Sequence, residues 1–238
     1  MVEVKGVIDA SFVDWPAAGD RGRLCATVFL GGCNFRCPFC HNRELVLDPD
    51  GMHSMAEASV ISRLEGLRPW IEAVCITGGE PTVNRGLAGF LRRLRASDFK
   101  IKLDTNGYLP EILSQILEEG LVDHVAMDVK TIPSKGPYSE CAGVSVDTGR
   151  IKESIRLLKG AAVPHEFRMT VLPRFHSNDL VSEWADELIG EGVFLRLQRF
   201  VPRDTLDPAF QKEPPFTEEE FVRLLAISLT PAPLPSGP

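Results

Sequence analysis

Apolar and polar positions along this chain switch between two periods. The stretches LCATVFL (24–30), AVCIT (73–77), FKIKLDT (99–105), DHVAMDV (123–129), EFRMTVL (166–172) and FLRLQRF (194–200) are rich in β-branched and aromatic residues and predict six strands. Several are apolar through most of their length, as strands buried on both faces of a parallel sheet are. Between and after them apolar residues recur at helical spacing. Val60, Ile61 and Leu64 follow a Ser54–Glu57 capping box, and Leu87, Phe90, Leu91 and Leu94 form the next stripe. Pro110 suits a first helical turn, Ile112, Leu113, Ile116 and Leu117 follow it, and Gly120 suits the stop. Ile151, Ile155 and Leu158 make a fourth stripe; Leu180, Trp184 and Leu188, with Asn178 as cap, a fifth. The last, Phe221, Leu224 and Leu225, lies behind a Thr217–Glu220 capping box. Six βα units in succession predict an α/β fold with a parallel sheet and right-handed crossovers. The pattern leaves open whether that sheet is doubly wound or part of a barrel. In either, the functional site lies at the carboxyl ends of the strands.

The 238 residues are 44% apolar and 25% charged, which suits one sizeable core and excludes general disorder. A single domain over 1–229 is expected, followed by a disordered tail, 230–238, with four prolines in nine residues. No apolar run is long enough for a membrane span, and MVEVKGVIDASFVDW lacks the basic flank and apolar block of a secretory signal, so a cytoplasmic chain with no membrane partner is expected. A net charge of −7 argues against nucleic acid as partner, because neutralising phosphates needs a basic surface.

Of six cysteines, three crowd into GGCNFRCPFCHN after the first predicted strand: Cys33, Cys37 and Cys40, spaced Cys-x3-Cys-x2-Cys. In a cytoplasmic chain such a cluster indicates metal or redox chemistry rather than disulfides. Thiolates bind iron strongly, and an iron–sulfur cubane takes four ligands, so three neighbouring cysteines leave one iron without a protein thiolate. A zinc knuckle with His41 as fourth ligand is disfavoured, because His41 adjoins Cys40 and adjacent side chains rarely converge on one tetrahedral ion. Cys25 and Cys75 read as small buried strand thiols; Cys141 has no assignment. His53, His124, His165 and His176 show no usable pairing.

The cysteine spacing, with Phe39 just before the last cysteine, resembles the radical S-adenosylmethionine superfamily, and further motifs at later strand ends extend the resemblance over nearly the whole chain. The resemblance implies a partial barrel of six βα units, a 4Fe–4S cluster on Cys33, Cys37 and Cys40, and S-adenosylmethionine chelating the open iron. It implies that Gly78, Gly79 and Glu80, in Thr-Gly-Gly-Glu-Pro, meet the methionine amino group; glycines allow close backbone approach, and a carboxylate accepts strongly from an ammonium. Asp104, Thr105 and Asn106 at the third strand end, with Asp128 and Lys130 at the fourth, match positions that hold the methionine carboxylate and ribose. Asp104, Thr105 and Asp128 also match positions that hold a monovalent cation in some members. Lys130 and Arg168 offer positive charge to the carboxylate, or else are salt-bridged strand ends. Where some members carry a ligand-touching histidine, this chain has Leu197-Gln198-Arg199-Phe200, so Gln198 would supply a neutral contact instead.

Cys-His-Asn at 40–42 resembles the glycyl-radical activating enzymes, and Ser-Phe-Val-Asp-Trp-Pro at 11–16 and Thr-Leu-Asp-Pro at 205–208 resemble the compact activators of anaerobic ribonucleotide reductase. The implied activity is reductive cleavage of S-adenosylmethionine to a 5′-deoxyadenosyl radical, which takes a Cα hydrogen from a glycine of a partner protein. A flavodoxin or ferredoxin electron donor is implied as well. Alternatives are a pyruvate formate-lyase-type activator, a 7-carboxy-7-deazaguanine synthase-like enzyme or, in another class, a non-catalytic metal-binding or electron-transfer module.

Overall fold

The computed structural model describes residues 1–15, 23–133, 136–189 and 195–229; the proline-rich 230–238 lies outside them. Seven strands form one sheet in sequence order: β1 (Val4–Ser11), β2 (Cys25–Leu30), β3 (Ala73–Gly78), β4 (Lys100–Thr105), β5 (His124–Asp128), β6 (His165–Val171) and β7 (Leu195–Arg199). The strands from β2 to β7 are the six predicted, and every adjacent pair among them is parallel. The added strand, β1, runs antiparallel to β2 along the edge. Its half-buried and exposed positions give it neither an apolar run nor clean alternation, which is why the pattern missed it. Among the described residues β1 and β7 do not pair, so the sheet is an unclosed, partial barrel.

The long helices are α2 (Glu57–Leu67), α3 (Leu87–Ala96), α4 (Pro110–Glu118), α6 (Thr148–Gly160), α7 (Asn178–Ile189) and α8 (Glu218–Leu229); α1 (Arg43–Leu47) and α5 (Tyr138–Ala142) are single turns that the sequence pattern did not predict. Thr217 and Glu220 form the expected reciprocal cap: the Thr217 N–H donates to Glu220 Oε2 (2.8 Å) and the Glu220 N–H to Thr217 Oγ1 (3.3 Å). Two other caps differ from expectation. Ala56 precedes α2 without a side-chain cap, because the Ser54 hydroxyl accepts from Lys5 Nζ (2.7 Å) and Glu57 is buried against Arg93. At α7 the Leu180 N–H bonds Ser177 Oγ (3.2 Å), so Ser177 fills the role expected of Asn178.

The strands are not apolar on both faces. Val28, Ile76, Ile101, Leu103, Val125, Phe167 and Leu195 join the helices in the main core. The alternate positions Thr27, Cys75, Lys102, Asp104, Glu166 and Arg168 face a polar interior linked by hydrogen bonds and ion pairs. Trp15, reached through β1, packs with Cys25, Ala73 and Cys75 at the amino ends of β2 and β3, and its ring lies 6.3 Å from that of His124 at the start of β5. It therefore covers the amino-terminal end of the interior and leaves the carboxyl end for a site. Among the described residues no helix is long and apolar enough to cross a membrane.

Asp123 fastens the approach to β5. Its carboxylate accepts from the Ile101 N–H (2.9 Å), Lys100 Nζ (2.9 Å) and Arg95 (2.6 Å), and its own N–H donates to the Ile101 carbonyl (2.7 Å). Partial burial pushes its carboxyl up, but the bonds from Lys100, Ile101 and Arg95 outweigh this and hold it below its ordinary 3.8. A lowered carboxyl contributes stability above its unfolded pKa and loses it as pH falls through the folded one. We expect Asp123→Asn to cost roughly 1 kcal/mol at pH 7, and the gap from the wild type to close as pH falls below about 4, measured by urea unfolding.

Candidate functional site

A cavity of about 500 Å³ lies at the carboxyl ends of the parallel strands. Its first wall is the cysteine loop. Backbone bonds hold this loop on several sides: the Gly31 N–H to the Glu3 carbonyl (3.0 Å), Gly32 to Leu45 (2.9 Å), Arg36 to Ala142 (2.8 Å), and the Leu206 N–H back to Cys40 (2.8 Å). The aromatics between the cysteines anchor it, with Phe35 buried against Tyr108 (centroids 5.5 Å apart) and Phe39 between Phe175 and Phe200 (6.1 and 6.5 Å). Cys33, Cys37 and Cys40 all line the cavity. The Phe35 N–H points at Cys33 Sγ (3.3 Å) and the Asn42 N–H at Cys40 Sγ (3.4 Å). Burial pushes the free thiol of Cys33 up to about 12 and that of Cys37 to about 11.

The Gly78–Glu80 turn forms the second wall. Gly78 has φ +121°, where a side chain is strained. A Cβ on Gly79 would collide with the Gly32 carbonyl, so this glycine admits the cysteine loop itself to the end of β3. The Gly79 N–H bonds Leu30 O (2.9 Å), the Glu80 N–H bonds Gly32 O (2.8 Å), and Asn42 Nδ2 reaches Gly78 O. The Glu80 side chain is buried. Oε1 accepts from the Thr82 N–H (3.0 Å), the Thr82 hydroxyl (2.6 Å) and the Thr105 hydroxyl (2.7 Å); Oε2 accepts from the Asn106 N–H (2.6 Å). Burial pushes its carboxyl above the ordinary range against these bonds. One carboxylate thus ties β3 to β4, and Asn106 Nδ2 carries the link back to Asn34 in the cysteine loop (2.8 Å).

The floor is charged. Lys102 pairs with Asp104; Arg168 donates to Asp104 Oδ2 (3.1 Å) and to Asp128 Oδ1 (2.8 Å); Lys130 Nζ lies 3.6 Å from Asp128. Burial opposes charge on Lys130, but the Asp128 carboxylate beside it favours the ammonium and holds it charged. Twelve of the thirteen residues singled out in the sequence line the cavity: the three cysteines, Gly78, Gly79, Glu80, Asp104, Thr105, Asn106, Asp128, Lys130 and Gln198. Arg168 is not among the lining residues, because its guanidinium is taken up by the two aspartates. The oxygens offered to a monovalent cation are likewise engaged: Asp104 and Asp128 by Arg168, the Thr105 hydroxyl oxygen by the Gly107 N–H (3.1 Å).

Sequence reasoning missed His176 and Thr170. Buried His176 accepts the Leu172 N–H at Nδ1 (3.2 Å), which leaves Nε2 to donate to the Lys130 carbonyl (2.9 Å). Its spacing carried no signal, since both partners are backbone. Thr170 stands opposite Gln198 in register and lines the same wall; alternation in β6 marks it as inward-facing.

The donor set fits an iron–sulfur cluster better than a single ion. Among the described residues no three His, Cys, Asp or Glu side chains are grouped to hold one metal ion, whereas three thiols share this cavity. His41, the fourth ligand of the zinc alternative, has its Nε2 2.9 Å from the Val201 carbonyl. Cys141, left unassigned above, is buried in α5 behind the loop.

An unclosed parallel barrel with a three-thiol loop after its first parallel strand defines a class, and residues 27–182 match the radical SAM superfamily. The chain belongs to that superfamily, whose enzymes use a 4Fe–4S cluster and S-adenosylmethionine. It is 30% identical over 230 residues to a Methanocaldococcus jannaschii protein provisionally named a glycyl-radical enzyme activating enzyme, covering 94% of this chain and 91% of that one. It is 28% identical over 186 residues to a protein of Pyrococcus horikoshii provisionally named GTP 3′,8-cyclase, covering 76% of this chain and 57% of the relative. Coproporphyrinogen III oxidase of Escherichia coli shares the fold, with TM-score 0.60 and 14% identity over 84% of this chain and 50% of its own. The chain thus spans only about half the length of the cyclase and the oxidase.

Glu80→Gln turns an amide NH2 toward a backbone N–H, that of Asn106 or of Thr82, which can only donate. We expect it to cost about 1–3 kcal/mol in urea unfolding of the metal-free protein.

Proposed function

We propose that this radical SAM enzyme takes a Cα hydrogen from a glycine of a partner protein, and that the partner is an anaerobic ribonucleotide reductase. Cys33, Cys37 and Cys40, which line one cavity, would hold the cluster, and the position without a protein thiolate would be open to S-adenosylmethionine. The observation that carries the reading is the composition of the cavity wall. It presents three thiols and a histidine engaged elsewhere, facing a polar floor of the size and charge an amino-acid nucleoside needs. The full-length relative from M. jannaschii, with its provisional activating-enzyme name, supports the choice of substrate class.

A cluster held by the three cysteines would supply the electron for reductive cleavage of S-adenosylmethionine, the chemistry that generates the hydrogen-abstracting radical. The chain's own residues bind and orient. The Gly78–Glu80 turn offers backbone carbonyls, and the remaining acceptor position on Glu80, to the ammonium. Lys130 offers positive charge to the carboxylate, while Asp104, Asn106 and Asp128 offer polar contacts to the ribose. Gln198 and Thr170 make a neutral wall where no proton is exchanged. Phe35 and Phe39 exclude water beside the cluster. The gap between β1 and β7 admits a peptide loop, and a flavodoxin or ferredoxin supplies the electron.

Anaerobic reconstitution should give a brown protein with about four irons per chain, the stoichiometry of one cubane. Cys37→Ala should lose it; an intact cluster in that variant overturns the ligand assignment. With reductant, S-adenosylmethionine and an anaerobic ribonucleotide reductase, we expect 5′-deoxyadenosine and the EPR doublet of a glycyl radical. Formation of 5′-deoxyadenosine only when GTP or a pterin is supplied would transfer the chain to a small-molecule chemistry.

A further inference from the structure

Asp104 ends β4, Asp128 ends β5, and both line the cavity. Arg168 stands opposite Asp128 in the β5–β6 register, and its backbone is fixed there, because its carbonyl accepts the Val129 N–H at 2.8 Å. From that position Nε donates to Asp128 Oδ1 (2.8 Å) and NH1 to Asp104 Oδ2 (3.1 Å). Lys102 pairs with the other oxygen of Asp104, and Lys130 lies 3.6 Å from the other oxygen of Asp128. The interior row therefore reads Lys102, Asp104, Arg168, Asp128, Lys130, with alternating sign.

Two neighbouring, partly buried carboxylates repel. With no cation between them, one would take up a proton or capture an ion. A guanidinium removes both options, since it stays charged and its planar fork can serve two carboxylates at once. The Arg168 side chain is 12% exposed, as is that of Asp104, so solvent screens the pair little.

We infer that Arg168 is a resident cation: it holds the Asp104 and Asp128 carboxylates as an exchangeable monovalent ion would, so that ligand binding in this cavity needs neither sodium nor potassium. It acts through the two aspartates and is a positioning residue. The Thr105 hydroxyl oxygen, the remaining oxygen such an ion would use, already accepts the Gly107 N–H at 3.1 Å while its proton goes to Glu80 at 2.7 Å. The inference rests on the S-adenosylmethionine reading of the cavity.

The test is equilibrium dialysis of S-adenosylmethionine against the reconstituted protein, with tetramethylammonium as the only buffer cation, then with sodium or potassium added. The dissociation constant should change by less than about twofold. Loss of affinity in tetramethylammonium, restored by potassium, overturns the inference. Arg168→Ala should bind about tenfold or more weakly and recover with millimolar guanidinium or with potassium, a rescue that a merely structural role would not give. Arg168→Lys should stay weaker than the wild type, because its shorter side chain lacks the planar fork that reaches Asp104 and Asp128 from this position. Wild-type affinity in Arg168→Ala overturns the inference. Should the wild type bind no S-adenosylmethionine in any buffer, the cavity reading fails instead. The resident cation is then judged on metal-free protein: guanidinium or potassium should raise the unfolding temperature of Arg168→Ala and leave the wild type unmoved, and equal responses contradict it. Should Arg168→Ala not fold, the cation exchange on the wild type decides alone.

Discussion

The site depends on one buried carboxylate. Glu80 gathers four donors from Thr82, Thr105 and Asn106, while its own N–H bonds the Gly32 carbonyl beside Cys33. Three chain segments far apart in sequence are thereby fixed against one another: the cysteine loop, the turn after β3 and the end of β4. The neighbouring glycines serve the same constraint, since any side chain on Gly79 would push the cysteine loop away from the strand end. A loop meant to present three thiols at set distances needs such rigid backing, because a site is only as well organised as the shell that supports it.

Around that knot the barrel reverses the usual distribution of polarity. Helices cover the outer face with an apolar core, and the interior carries thiols, lysines, arginine and carboxylates. A charged interior is tolerated because the charges alternate along neighbouring strands, each ion meeting its opposite within hydrogen-bond or ion-pair distance. The polar floor thus opens into the cavity with Asp104, Asp128 and Lys130 along it. Phe35 and Phe39 anchor the cysteine loop at the barrel's carboxyl end, and Trp15 covers the amino-terminal end.

Much of this was legible in the sequence. The six parallel strands and the three-cysteine loop stand out because they are local patterns, and the motifs at strand ends followed from the resemblance. The choice between a doubly wound sheet and a barrel was also legible in principle: Lys100, Lys102 and Asp104 in β4, and Glu166, Arg168 and Thr170 in β6, are polar at every second position, which strands covered on both faces by apolar helices would not be. What could not be read depends on long-range partners. β1 lacks a decisive pattern of its own and is a strand because β2 offers it an edge. Ser54 looked like a helix cap until Lys5 claimed its hydroxyl. His176 holds the Lys130 backbone across forty-six positions, a contact that no local pattern announces.

The central claim is that three protein thiolates leave one iron of a cubane free for a nucleoside sulfonium, and EPR and ENDOR of the reduced cluster test it most directly. On adding S-adenosylmethionine labelled with 15N and 17O in its methionine part, the account predicts changed g-values and hyperfine coupling to both labels. An unchanged spectrum without coupling, or a lone zinc ion in anaerobically purified protein, would contradict it.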